Sequence, residues 1–139
     1  MNTILSFTNI RNFFISLVVF LIIDMVWLTL IAKSIYSKYL GYLMAPKVNF
    51  LAAFIFYIIF IIGLSVFVIH PAFVNDSWRS ALFMGMFFGL ITYATYDLTN
   101  LATVKDWPVF ITVIDLIWGS MVSGATAFIS FLLIRLFRS

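Results

Sequence analysis

An all-α, integral membrane four-helix bundle with a short interfacial helix in the first loop is the fold this sequence predicts, on three observations. The composition is 65% hydrophobic and only 9% charged, against roughly a quarter charged in soluble domains. The mean hydropathy is +1.18, so lipid has to be the solvent for most of the surface. The apolar residues fall into four runs, at about 13–32, 50–69, 80–102 and 109–134, within a single domain of 139 residues. At about 20 residues per ~30 Å crossing, that length holds four spans with loops, and a fifth would leave almost no connections.

The first run follows a polar start, Asn9 to Asn12, with one basic residue, Arg11. It resembles a signal peptide in position, but it is full length, carries Asp24 near its middle and lacks a small-residue cleavage pattern before Lys33 and Lys38. It is read as a retained helix. Pro46, Pro71 and Pro108 all fall between the runs, where no helix interior is broken. In the connection 33–49, Ile35, Tyr36, Tyr39, Leu40, Tyr42 and Leu43 recur at helical spacing beside Lys38. That pattern fits a short helix in the headgroup layer or an aromatic belt on an irregular loop.

Several function classes drop out at this level. The chain has no cysteine, which removes disulfides, thiolate metal sites and the thiol chemistry of quinone-linked oxidases. A net charge of +3 spread over loops leaves no footprint for nucleic acid. The basic residues tie across the two faces: Arg11, Arg79, Arg135 and Arg138 on one, Lys33, Lys38, Lys47 and Lys105 on the other. The short basic C-terminal tail, close to its helix, is the ground for expecting both termini in the cytoplasm. A tie is also what a dual-topology protein shows.

The informative residues are acids. All five are Asp, and Asp24, Asp97 and Asp115 lie inside predicted spans with no Lys or Arg in a span to neutralise them. An acid near a span centre costs about 2.5–3.5 kcal/mol on insertion scales, so it is expected to face the bundle interior. Asp97 precedes Thr103 by six residues and Asp115 follows Val109 by six, which puts each ~9 Å below one membrane face at ~1.5 Å per residue. Asp24 precedes Lys33 by nine, ~13 Å below the same face. The flanking faces agree: Gly85, Gly89, Tyr93, Tyr96, Asp97 and Asn100 share one side of the third run, and Thr112, Asp115, Gly119, Ser123, Thr126 and Ser130 one side of the fourth. Gly85 and Gly89 form a small-xxx-small pair suited to close packing.

Trp27 and Trp118 each follow an Asp by three residues, in an echo between Ile23-Asp24-Met25-Val26-Trp27 and Ile114-Asp115-Leu116-Ile117-Trp118. Their indoles serve either as donors to the carboxylates or as packing. Trp78 and Trp107, near loops, need only anchor the interface. His70 sits at the opposite face, before Pro71. The candidate proton or cation site is therefore Asp24, Asp97, Asn100, Asp115, Tyr93, Tyr96, Trp27 and Trp118, with no metal and no cofactor called for.

The run Tyr93-Ala-Thr-Tyr-Asp97-Leu-Thr-Asn100-Leu-Ala-Thr103, followed by Asp106-Trp107-Pro108 and Asp115-x-x-Trp118-Gly119, resembles the signature of a bacterial family of small predicted inner-membrane proteins of unknown function. Asp24-x-x-Trp27 and the tyrosine-rich first loop are similar to it as well, so the resemblance covers nearly the whole chain. It implies a multi-pass protein of the bacterial inner (cytoplasmic) membrane and transfers no catalytic residue.

Three functions compete at this stage. A proton- or cation-linked small-solute carrier or channel uses the aspartate cluster, and with so few spans it is expected to work as a homodimer. A noncatalytic membrane partner or assembly protein uses the same polar faces for packing alone. A lipid-modifying membrane enzyme draws on Asp97, Asn100, Asp106 and Lys105 near the headgroups. The carrier ranks first, the partner second and the enzyme third.

Overall fold

The computed structural model describes residues 7–138; Ser139 and the side chain of Arg138, part of the basic tail, lie outside the described portion. Among the described residues there is no strand. Helix α1 (Phe7–Trp27) continues through a π-helical turn, Leu28–Ala32, into α2 (Lys33–Leu40) and a 3-10 turn at Gly41–Leu43. Helix α3 (Phe50–Leu64) continues through a second π-helical turn, Ser65–Ile69, into α4 (His70–Val74). Two long helices follow, α5 (Trp78–Thr103) and α6 (Val109–Arg138). Four helical rods are thus long and apolar enough to cross a membrane.

Two features of the rods depart from the sequence expectation. The short helix of the first loop is present as α2, but it prolongs the first rod instead of standing apart from it: Ala32 and Lys33 both keep right-handed helical dihedrals. No glycine or proline interrupts the chain before Gly41, so nothing in the backbone ends the helix earlier. Met44, two residues before Pro46, is extended (ψ 131°). Pro71 lies within the second rod and not between helices. Its missing N–H and its clash with the preceding turn are accommodated by the π-helical turn just before it, a wider turn of the kind that absorbs such defects. At the other starts, Asn49 accepts a hydrogen bond from the Ala52 amide at 3.1 Å and Ser77 one from Ser80 at 3.1 Å, closing donors a helix start leaves open.

The bundle is packed unevenly along its length. α5 and α6 form its most extensive contact, with α1 laid on α6. The apolar core joins Phe20 with Phe60, Ile61, Leu64, Val68, Ala81, Val122 and Phe131, all on the side of the bundle away from the first and third loops. The second rod meets its neighbours there; none of residues 50–59 is buried. Its leading half therefore stands off from α1, α5 and α6, and the space behind it belongs to the aspartates.

The α5–α6 contact depends on glycine. A Cβ on Gly85 would come within 2.9 Å of both the Ala127 Cβ and the Ser123 carbonyl oxygen, one on Gly89 would overlap the Gly119 carbonyl, and one on Gly119 would enter the Tyr93 ring. Backbone cannot move aside as a side chain can. Gly89→Val is expected to lower stability by about 1–3 kcal/mol, the range for overpacking, in thermal unfolding of the detergent-solubilised protein. Gly41→Ala, whose Cβ meets nothing within 4 Å, is expected to fall within about 0.5 kcal/mol of wild type.

Candidate functional site

Helix α5 brings Asp97 inward because its buried positions, Ala81, Gly85, Gly89 and Asp97, fall at multiples of four and share one face. Tyr93 completes that row, held half-buried by its contact with Gly119 of α6. On α6 the stripe read from the sequence is turned wholly inward: Thr112, Asp115, Gly119, Ser123, Thr126 and Ser130 are all buried. Close approach of these two faces sets Asp97 within bonding reach of Asp115. From α1, Asp24 enters the same space with 7% exposure.

All three aspartates border one cavity of about 240 Å³, together with Trp27, Tyr36, Tyr57, Tyr93, Tyr96 and Trp118. No Lys, Arg or His is on its wall. Asp24 accepts a hydrogen bond from the Tyr57 hydroxyl at 2.8 Å, and the Trp118 indole faces the same carboxylate. Asp115 accepts from the Tyr36 hydroxyl, which is itself faced by the Trp27 indole. The two indoles stack, with centroids 4.4 Å apart and planes 9° from parallel. The stacking is the packing role that the sequence offered these two indoles.

Asp97 differs from the other two. It has no exposed surface, and neither carboxyl oxygen has a hydrogen-bond donor. Its neighbour within bonding reach is another carboxyl, Asp115. Two carboxylates offer only acceptors, so a bond between them requires one shared proton. Asn100 does not border the cavity; its side chain stands beside the Tyr96 hydroxyl, one turn from Asp97.

Five wall residues stand outside the eight-residue set read from the sequence, Leu28, Tyr36, Ala53, Phe56 and Tyr57, and two of them carry hydroxyls. Tyr57 is the lone hydrogen-bonding side chain in the otherwise apolar Phe50–Leu64 helix, a signal available in the sequence. Tyr36 belongs to the first-loop tyrosine stripe, which the headgroup reading assigned to the interface. The stripe instead lies along the start of α6: Tyr36 bonds Asp115, the Tyr39 ring is 4.9 Å from Phe110, and the Tyr42 hydroxyl donates to the Asp106 carbonyl at 2.8 Å. Trp107 also departs from the interface-anchor expectation. It is 8% exposed, its indole donates to the Thr112 hydroxyl at 3.0 Å, and it meets the Tyr96 ring edge-on at 5.7 Å. The left-handed backbone at Asp106 (φ 60°) reverses the chain just before it. Asp106 and Lys105 are not on the cavity wall.

Fold and site together define a multi-span membrane protein with an open pocket lined by buried acids and aromatic rings. The chain belongs to the family described as "Predicted membrane protein (DUF2177)", whose model matches residues 9–132, and so includes every residue of the chamber. No curated protein and no solved structure matches the chain.

Removing a hydroxyl that serves a buried carboxylate is expected to cost about 1–2 kcal/mol, within the range for hydrogen bonds in membrane bundles. Tyr57→Phe and Tyr36→Phe should each lower the midpoint of thermal unfolding in detergent. Tyr42→Phe, whose hydroxyl bonds an exposed carbonyl, should change it little.

Proposed function

We propose that this chain is a proton- or cation-linked small-solute carrier or channel of the bacterial inner membrane, with both termini cytoplasmic and the aspartate chamber as its ion site. One observation carries the reading: Asp97 is fully buried and borders the cavity, yet neither of its oxygens has a donor. More than nine in ten buried polar groups are satisfied in native proteins, and an acid in a span carries its insertion cost as well. Asp24 shows what a satisfied acid looks like in this bundle, with the Tyr57 hydroxyl donating to it at 2.8 Å. Asp97 has been given no such donors. A residue kept at that cost with a second acid, Asp115, as its near neighbour is suited to a mobile partner, a proton or a cation.

The packing-only alternative accounts for Asp24 and for the glycine contacts but leaves Asp97 without a role. The lipid-enzyme alternative draws on Asp97 with Asp106, and Asp106 stands off the wall. Alternating protonation of an Asp97–Asp115 pair, against a chamber with no fixed positive charge, gives a carrier both its coupling group and its vacancy.

The reading is tested in proteoliposomes by presenting monovalent cations, inorganic and organic, to one side and following proton counterflow with a lumenal pH dye. At least one cation is expected to drive proton movement in wild type, and none in the Asp97→Asn, Asp115→Asn double variant. Counterflow that survives in that variant, or is absent for every cation in wild type, removes the proposal. Asp97→Asn alone is expected to abolish counterflow while unfolding at or above the wild-type temperature, because an amide at 97 donates to Asp115 without needing the proton that two acids must share.

A further inference from the structure

The geometry points to the ligand class of this chamber: a compact organic monocation of the alkylammonium type, which enters by displacing the proton shared between Asp97 and Asp115. The inference rests on the carrier reading and narrows it.

The wall decides between inorganic and organic cations. A hard ion needs roughly six or more oxygen ligands at short range in place of its water. Here the three carboxyls border one chamber, but no three acids or histidines among the described residues come close enough to hold a metal ion. Two of the tyrosine hydroxyls already donate, Tyr36 to Asp115 and Tyr57 to Asp24, which ties both side chains in place on the wall. What the wall supplies in quantity is aromatic surface, the Trp27–Trp118 stack and the rings of Phe56, Tyr57, Tyr93 and Tyr96. Aromatic faces attract weakly hydrated cations, and quaternary ammonium groups are the best-fitted class. Buried beside them is the Asp97 carboxyl, which has Asp115 within reach and no hydrogen-bond donor among the described residues, and which supplies one negative charge once the proton it shares with Asp115 leaves.

Size sets the upper limit. The cavity, about 240 Å³, is below the roughly 300–1,000 Å³ of pockets that take drug-sized ligands. A tetramethylammonium-sized cation is the suitable scale. Asp97 lies six residues inside the end of α5, ~9 Å down at the helical rise, below headgroup level, which favours a soluble cation over the quaternary headgroup of a lipid. Charge balances in the exchange: one monocation arrives, one proton leaves, and Asp24 keeps its tyrosine partner throughout.

The probe is tetramethylammonium chloride, titrated calorimetrically into the full chain in phosphatidylglycerol nanodiscs, in two buffers of different ionisation enthalpy. Saturable binding with release of about one proton is expected, with no binding of a neutral isostere bearing a tert-butyl group, 2,2-dimethylpropan-1-ol. Asp97→Asn should abolish it. Trp118→Leu and Phe56→Leu should each weaken it by between about twofold and thirtyfold, the equivalent of 0.5–2 kcal/mol for a cation–π contact; Phe56 makes no hydrogen bond in the site, so that variant retains the test where Trp118→Leu fails to fold. Equal affinity in phosphatidylcholine nanodiscs identifies a soluble cation, and a fall there identifies a lipid headgroup, the class being the same. Binding of the neutral isostere as tightly, binding without proton release, or affinity unchanged in Phe56→Leu overturns the inference. If potassium or sodium drives Asp97-dependent counterflow while tetramethylammonium neither binds nor competes, this inference falls and the carrier reading stands. If no cation drives counterflow, both fall.

Discussion

The contact between α5 and α6 is the constraint on which the rest of the structure depends. Gly89 lets the α5 backbone approach the Gly119 carbonyl, and Gly119 leaves room for the Tyr93 ring; that approach is what places Asp97 against Asp115 further along the two helices. In hydrocarbon there is no apolar driving force between helices, so association comes from close packing and hydrogen bonds. The chamber is consequently a product of the packing and not an addition to it. Ser120 reinforces the pair by donating to the Met86 carbonyl at 3.0 Å, while Ser123, Thr126 and Ser130 lie in the contact with no partner for their hydroxyls.

Division of labour along the bundle follows from where the second rod makes contact. Its trailing half is sealed against Phe20, Val122 and Phe131. Its leading half carries no buried residue and offers the chamber only Ala53, Phe56 and Tyr57. One half of the molecule is thus a close-packed core, and the other is a walled space with ionisable groups. On the loop side Tyr36 borders this space, while Tyr42 and Trp107, outside its wall, bond the Asp106 carbonyl and the Thr112 hydroxyl.

Much of this was legible in the sequence, for physical reasons that can be named. The four rods follow from hydropathy, since lipid imposes helix on any apolar span. The meeting of Asp24, Asp97 and Asp115 follows from insertion cost and from helical rise, because α5 ends at Thr103 and α6 begins at Val109, the positions from which the depths were counted. Tyr36 was not legible as a wall residue. A tyrosine stripe beside lysines has the composition of an interface, and composition does not reveal that the first rod runs on through a π-helical turn and lies along α6. Pro71 was placed between helices by the usual rule, which takes no account of a wider turn just before it. Tyr57 was legible and underweighted: a lone hydroxyl in an apolar span needs a partner, and a carboxyl at a similar depth was the partner on offer.

The Asp-x-x-Trp echo acquires a physical meaning once the helices are paired. α1 and α6 cross the bundle in opposite directions, and their indoles stack at a common level. With each Asp one turn N-terminal to its Trp, antiparallel packing must send the two carboxyls to opposite sides of that stack, Asp24 deeper and Asp115 nearer the first and third loops. Tyr57 then donates to Asp24, while Tyr36 donates to Asp115. The same short motif, used twice in opposite directions, separates two satisfied carboxyls by a rigid aromatic plug. Asp97 comes from a helix without the motif and so joins only one side. The asymmetry of the chamber, with one solitary satisfied acid and one acid pair, arises from two copies of a motif meeting a third helix that lacks it.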